Sequence, residues 1–147
     1  MFFPGLDLDL IQKVRVEKLL EGYEDYYKTS LRIPKSEILK IEKESHLLLH
    51  VAWKGHAGII ASKIYEYIGS GSKIIVVPGD GGSIDEIVET SRSGFIFDDV
   101  NSVYAFLCNE YDKFIEGREV SQVDSELRMQ FSRESQAIKL GLILNKI

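Results

Sequence analysis

The sequence has a single cysteine, only three histidines and no long apolar run. A lone Cys108 closes no internal disulfide. Its apolar helical neighbours lead us to expect it packed, which suits a reducing compartment. No run reaches the roughly 20 apolar residues that a membrane-spanning helix needs. The opening Met1-Phe2-Phe3-Pro4 is too short for a signal peptide and lacks its basic flank. A cytoplasmic protein is therefore expected. Positive charge is in deficit as well, with 18 Lys and Arg against 23 Asp and Glu. The net charge of -5 argues against a broad grip on nucleic acid. His46, His50 and His56 share no metal-ligand spacing, so no metal site is expected. Neither GxxxxGK[ST] nor GxGxxG occurs, which removes the P-loop and the dinucleotide fingerprint. No Ser-His-Asp or Cys-His arrangement can be argued, and the sequence names no catalytic residue.

What is present begins with the stretch Leu47 to Pro78. An apolar run, Leu47–Val51, is followed by a glycine-bearing loop, a helix and a second run, Lys73–Val77. That is the pattern of a βαβ unit in a parallel sheet. In the helix Ile60, Ile64, Tyr67 and Ile68 form one apolar stripe, and Gly69 and Gly71 stop it.

Around this unit the reading is coarser. Met1–Phe3 is a strand end or a frayed terminus. A helix runs from Asp9 to about Leu20, then a strand from Tyr26 to Ile33. A short helix, Ser36 to Glu44, turns Ile38, Leu39 and Ile41 inward. Ser83 and Glu86 match a capping box for a helix ending near Ser93-Gly94, and Phe95–Phe97 is a last strand. Asn101 caps a helix ending at Gly117, Ser121–Asp124 is a polar link, and a final helix from about Ser132 to Asn145 reads as core. The expected fold is α/β, a Rossmann-like three-layer α/β/α arrangement with a mostly parallel sheet. With three or four strands the sheet is small for that class.

The loop Trp53–Ala61 sits at the carboxyl end of a strand, where open α/β sheets bind ligands. Amides opening a helix lack intrahelical partners and, with the helix dipole, attract an anion. The candidates are Gly58, Ile59, Ile60 and Ala61, against the plain alternative of an ordinary βα turn. Glu66, off the apolar stripe, is placed to accept hydrogen bonds from sugar hydroxyls, or else to pair with Lys63 on the helix surface. Lys63 is open to the same two readings, phosphate contact or surface pair. Trp53 reads as a loop anchor, and His56 as a loop histidine without a carboxylate partner.

At these residues the chain resembles a known family. Ser45–Val51, the run Gly58-Ile59-Ile60-Ala61-Ser62-Lys63-Ile64-Tyr65-Glu66-Tyr67-Ile68-Gly69-Ser70-Gly71, then Lys73–Ile75 and Gly81–Val88 are similar to the C-terminal, donor-binding domain of GT-B glycosyltransferases of the retaining, family-4-like kind. Phe131–Glu134 and the helix after it resemble the family's closing helix. The likeness covers about two thirds of the chain.

The resemblance implies that residues 1–147 form a partial nucleotide-sugar-binding domain, with closing helices over 101–147. The amides around Ile59–Ala61 would hold a nucleotide-sugar's diphosphate, Glu66 the ribose hydroxyls, and Lys63 would support the site. Ile33–Ile38 would lie beside the base. The substrate would be a nucleotide-diphosphate sugar, with no separate cofactor, and the sugar would pass to a glycan or lipid acceptor.

The pattern also departs from the family. Gly58 stands where many relatives have a further glutamate, and Ala61 where a proline is common. The acceptor domain and the first one or two βα units have no counterpart here. A fragment that does not transfer sugar by itself is expected, with a homodimer as its association. In the full-length protein, peripheral attachment at the inner face of a membrane is a further expectation. The alternative is a non-catalytic α/β module for oligomerisation or partner binding.

Overall fold

The computed structural model describes residues 1–56, 58–118 and 122–146. The chain divides into two compact units, Met1–Ile41 and Glu42–Ile147.

The first unit holds two short parallel strands, β1 (Phe2–Pro4) and β2 (Lys28–Ser30), in the register Phe3 opposite Thr29. Between them runs α1 (Leu10–Leu19), capped by Asp9, whose carboxylate accepts the Gln12 amide. Of the apolar positions expected to give it an inward side, Ile11, Val14 and Leu19 are exposed, and Leu20 just past its end is half-buried. The strand expected over Tyr26–Ile33 is confined to three residues, because Glu24–Tyr26 forms a 3-10 turn and Pro34 closes the other side. Helix α2 (Lys35–Glu44) follows, and from Glu42 onward it belongs to the second unit. Leu39, expected inward, is exposed on it.

The second unit is built on three parallel strands in the order β3 (Leu47–His50), β4 (Lys73–Val76), β5 (Gly94–Ile96). Leu48 faces Ile74, and Ile75 faces Phe95. Helix α3 (Lys63–Ser70) joins the first two strands and α4 (Ser83–Thr90) the last two, so each connection is a βαβ crossover. The α/β, Rossmann-like reading is thus borne out, with small, all-parallel sheets of two and three strands among the described residues.

The core lies where helical and strand periodicities meet. Ile64 and Ile68 from α3, Ile74 and Val76 from β4, and Ile84 and Val88 from α4 are sealed from solvent, with Ala52 beside them. Tyr67, Ile87, Ile96 and Phe131 pack around this cluster. β3 is less buried than its apolar run suggests. It is an edge strand whose Leu49 points to solvent, and Val51 beyond it is exposed as well.

Two caps differ from expectation. Ser83 is the first residue of α4, and Gly82 precedes it without a side-chain cap. The amides are instead met from the loop before, by Asp80. Helix α5 (Val100–Ile115) is capped by Asp99, which accepts from the Ser102 amide, and not by Asn101. On α5 Phe106 meets Phe95 and Phe97 at ring centroid distances of 4.6 and 5.2 Å. That aromatic cluster seats the helix on β5.

Beyond α5 the expected link falls partly on Ser121, outside the described residues. Val123, in that link, is buried and donates its amide to the Gly71 carbonyl. A short helix, α6 (Ser125–Met129), follows and was not anticipated. Helix α7 (Arg133–Leu144) corrects a second expectation. It contains no buried residue, and Ile138, Leu142 and Ile143 are exposed. The apolar pattern is real, but the described residues place nothing over it. Cys108, expected packed, is exposed on α5 for the same reason.

Candidate functional site

The carboxyl ends of β3, β4 and β5 each run into a loop. The loop after β3 spans residues 51–62. Gly55 and Gly58 in it hold φ of +79° and +95°, a left-handed backbone that side chains resist. Gly58, Ile59, Ile60 and Ala61 are all exposed. The helix expected to open near Ile60 opens at Lys63, two β-branched isoleucines having little helix preference beside a left-handed glycine. Ile60 therefore leaves the stripe, which consists of Ile64, Tyr67 and Ile68. Among the described residues the amides of Ile59, Ile60 and Ala61 donate to no backbone carbonyl, whereas the Ile64 amide is already committed to the Ala61 carbonyl at 3.1 Å. The candidate amides thus form an irregular, solvent-facing approach to α3, and the helix end proper is one step further along.

Trp53, expected to anchor the loop, is 66% exposed. Its ring meets His56 edge-on at 6.2 Å, and His56 Nδ1 lies 3.4 Å from the Lys54 carbonyl. Lys54 reaches Asp98 after β5 at 3.8 Å, a solvent-exposed pair that bridges two loops of the same edge. The third loop, Pro78–Gly82, is more tightly held. Asp80 is buried and accepts the amides of Gly82, Ile84 and Asp85. Burial pushes the Asp80 carboxyl up, but those amides outweigh it and hold the group below the usual carboxylate range. His50, buried at the end of β3, is pulled below the ordinary imidazole value by desolvation, with the Asp80 charge acting in the opposite sense.

Lys63 and Glu66 are brought together in the first turn of α3, Nζ to Oε2 at 3.7 Å. Lys63 makes a closer contact elsewhere. Its Nζ lies 2.5 Å from Oε1 of Glu42, in the last turn of α2, and 5.2 Å from the centre of the Tyr67 ring. The ammonium is therefore drawn along the flank of α3, one turn past its own backbone. Desolvation lowers the Lys63 pKa, but the hydrogen bond and charge of Glu42 overcome it, so the ammonium is held above its usual value.

Glu42 escaped the sequence reading, because a charged residue in the pattern Lys40-Ile41-Glu42-Lys43 reads as solvated helix face. It is 5% exposed. Its carbonyl accepts the Ser72 hydroxyl at 2.8 Å, tying the end of α2 that belongs to the second unit to the turn before β4. Its second carboxylate oxygen, Oε2, is buried and has no hydrogen-bond partner among the described residues. Such an unmet acceptor costs about 1–3 kcal/mol. The only advance signal is that Glu42 falls one residue after Ile41 and four after Ile38, on the edge of the apolar stripe.

A cleft of about 740 Å³ lies at the opposite, amino end of β3 and β4, lined among others by Lys43, His46, Lys73 and Phe114. His46 stacks edge-on against Phe114 there at 4.9 Å. It is remote from the loops just described, and nothing in the sequence singled it out. Among the described residues no group of three His, Cys, Asp or Glu is placed to hold a metal ion, and no helix is long and apolar enough to cross a membrane.

Comparison with protein-family models, curated proteins and solved structures found no match to this chain.

Proposed function

We propose that this chain is the donor-binding part of a glycosyltransferase of the GT-B kind, taking a nucleotide-diphosphate sugar at the loop 58–62 and the first turn of α3. The observation that carries the reading is the exposed approach Gly58–Ala61, whose isoleucine and alanine amides have no backbone partner among the described residues, followed within one turn by the Lys63–Glu66 pair. Open amides at a helix entry suit a diphosphate. A half-exposed carboxylate one turn on suits vicinal ribose hydroxyls. In such an enzyme catalysis is mostly positioning and stabilisation of the departing diphosphate. The acceptor would be a glycan or lipid held by a separate domain, and residues 1–147 alone would not transfer sugar.

Amide chemical-shift mapping with ADP, GDP and UDP tests this. Shifts confined to Gly58–Glu66 and the neighbouring Pro78–Gly82 loop are expected from at least one nucleotide. Shifts spread without pattern, or none, would remove the reading.

One observation favours a second reading, that of a non-catalytic module for self-association or partner binding. Ile138, Leu140, Leu142, Ile143 and Leu144 are all exposed on α7, and such clusters mark interaction surfaces. Light scattering at micromolar concentration separates the two: a dimer abolished by Leu142→Asp, with no nucleotide binding, supports the module.

A further inference from the structure

We infer that Lys63 does not grip the donor's phosphates but, anchored by Glu42, positions Glu66, so that Glu42 and Lys63 together set the recognition of ribose. The inference rests on the donor-site reading and refines it.

The geometry has three parts. First, the Lys63 ammonium is held at 2.5 Å by a carboxylate oxygen of a residue that is almost fully buried, so its position is fixed from the protein side. Second, the same ammonium stands 3.7 Å from Glu66 Oε2 and lies over the Tyr67 ring, on the flank of α3. A lysine reaching for an anion at the helix entry would extend the other way, since Gly58–Ala61 precede the helix. Third, Glu42 is itself locked, its carbonyl accepting the Ser72 hydroxyl across the start of β4.

A lysine acts as a compact point charge with three donors, and here those donors face carboxylates. It fixes the place of the partly exposed Glu66 carboxylate on the first turn of α3, where hydroxyl donors would meet it. The diphosphate is left to the main-chain amides. Glu42 is thus a positioning residue for Lys63, and Lys63 for Glu66. Neither touches the ligand.

The test is calorimetric titration of the full chain with the best-binding nucleoside diphosphate, its deoxyribose counterpart and inorganic pyrophosphate. It compares wild type, Glu42→Gln, Lys63→Gln, Lys63→Arg and the neutral double variant Glu42→Gln/Lys63→Gln. Losing an ordered charged hydrogen bond weakens binding about tenfold, so the nucleoside diphosphate should lose about that factor in Glu42→Gln, Lys63→Gln and the double variant. The preference for ribose over deoxyribose should collapse in the same three. Pyrophosphate affinity should stay within about twofold, because amide contacts to phosphate do not need the lysine. Lys63→Arg should keep the ribose preference.

A purely structural role would weaken all three ligands alike and would not separate them. Equal weakening of pyrophosphate and nucleotide by Lys63→Gln, or an unchanged ribose preference, overturns the inference while leaving the donor site standing. Wild type binding no nucleoside diphosphate overturns the donor-site reading and this inference with it. If a single variant leaves one charge unpaired and unfolds, the double variant and Lys63→Arg still decide the matter.

Discussion

Asp80 and Asp85 hold each other's backbone: Asp80 Oδ1 accepts the Asp85 amide at 3.3 Å, and Asp85 Oδ1 accepts the Asp80 amide at 3.2 Å. The pair does the work of a capping box, shifted three residues upstream of Ser83. Asp80→Ala removes the carboxylate that accepts three amides at the entry to α4 and should destabilise by about 1–2 kcal/mol in urea denaturation. The pH dependence follows from the depressed Asp80 pKa. A carboxyl whose folded pKa lies below its unfolded value of about 3.9 stabilises above that pH. The contribution is lost as pH falls through the folded pKa. The difference between wild type and Asp80→Ala should therefore shrink from about pH 5 downward.

Gly94 and Gly69 predict opposite signs for the same substitution. A Cβ on Gly94 would meet the Ile74 carbonyl oxygen across the β4–β5 pair. The strands must part to admit it, and Gly94→Ala should cost about 1–3 kcal/mol. A Cβ on Gly69 meets no described residue within 4 Å, and Gly69 is an exposed position inside α3. Gly69→Ala should stabilise by about 0.5–1 kcal/mol. Thermal melts of the two variants check both signs at once.

Ile64 and Ile143 separate core from bare apolar pattern. Ile64 is fully buried, so Ile64→Ala should destabilise by about 2–5 kcal/mol through lost burial and the cavity left behind. Ile143 is exposed, and Ile143→Ala should stay within about 0.5 kcal/mol of wild type. Equal losses at both positions would show that α7 is covered in solution.

His50 gives the chain a second pH response. Burial depresses its pKa, so the folded state favours the neutral ring, and protonation favours unfolding. Stability from this group is present above the unfolded value of about 6.5 and is lost as pH falls through the lower folded pKa. Melting temperatures of His50→Leu should accordingly fall less than those of wild type between about pH 7 and pH 5.

The βαβ unit around Ile64, Ile68, Ile74 and Val76 was legible because two periodicities, helical and extended, alternate there without conflict. The glycines at 55, 58 and 71 marked their left-handed turns for an equally local reason. What escaped was non-local. The stripe on α7 announces an apolar face but not what lies against it, and the described residues leave that face exposed. The helix start moved from Ile60 to Lys63, and the caps from Ser83 and Asn101 to Asp80 and Asp99, because several nearby residues compete to satisfy the same amides. Of the candidate site, the Lys63–Glu66 pair followed from helical spacing. Glu42 did not, because its burial is decided by a partner 21 residues away.

The central claim is that Glu66 and the amides opening α3 hold a nucleoside diphosphate. Calorimetric titration of ADP, GDP and UDP into wild type and Glu66→Ala tests it most directly. At least one nucleotide should bind wild type and lose about tenfold or more in affinity with the variant, as expected when a charged acceptor of hydroxyl donors is removed. Equal affinity for wild type and Glu66→Ala would contradict the account.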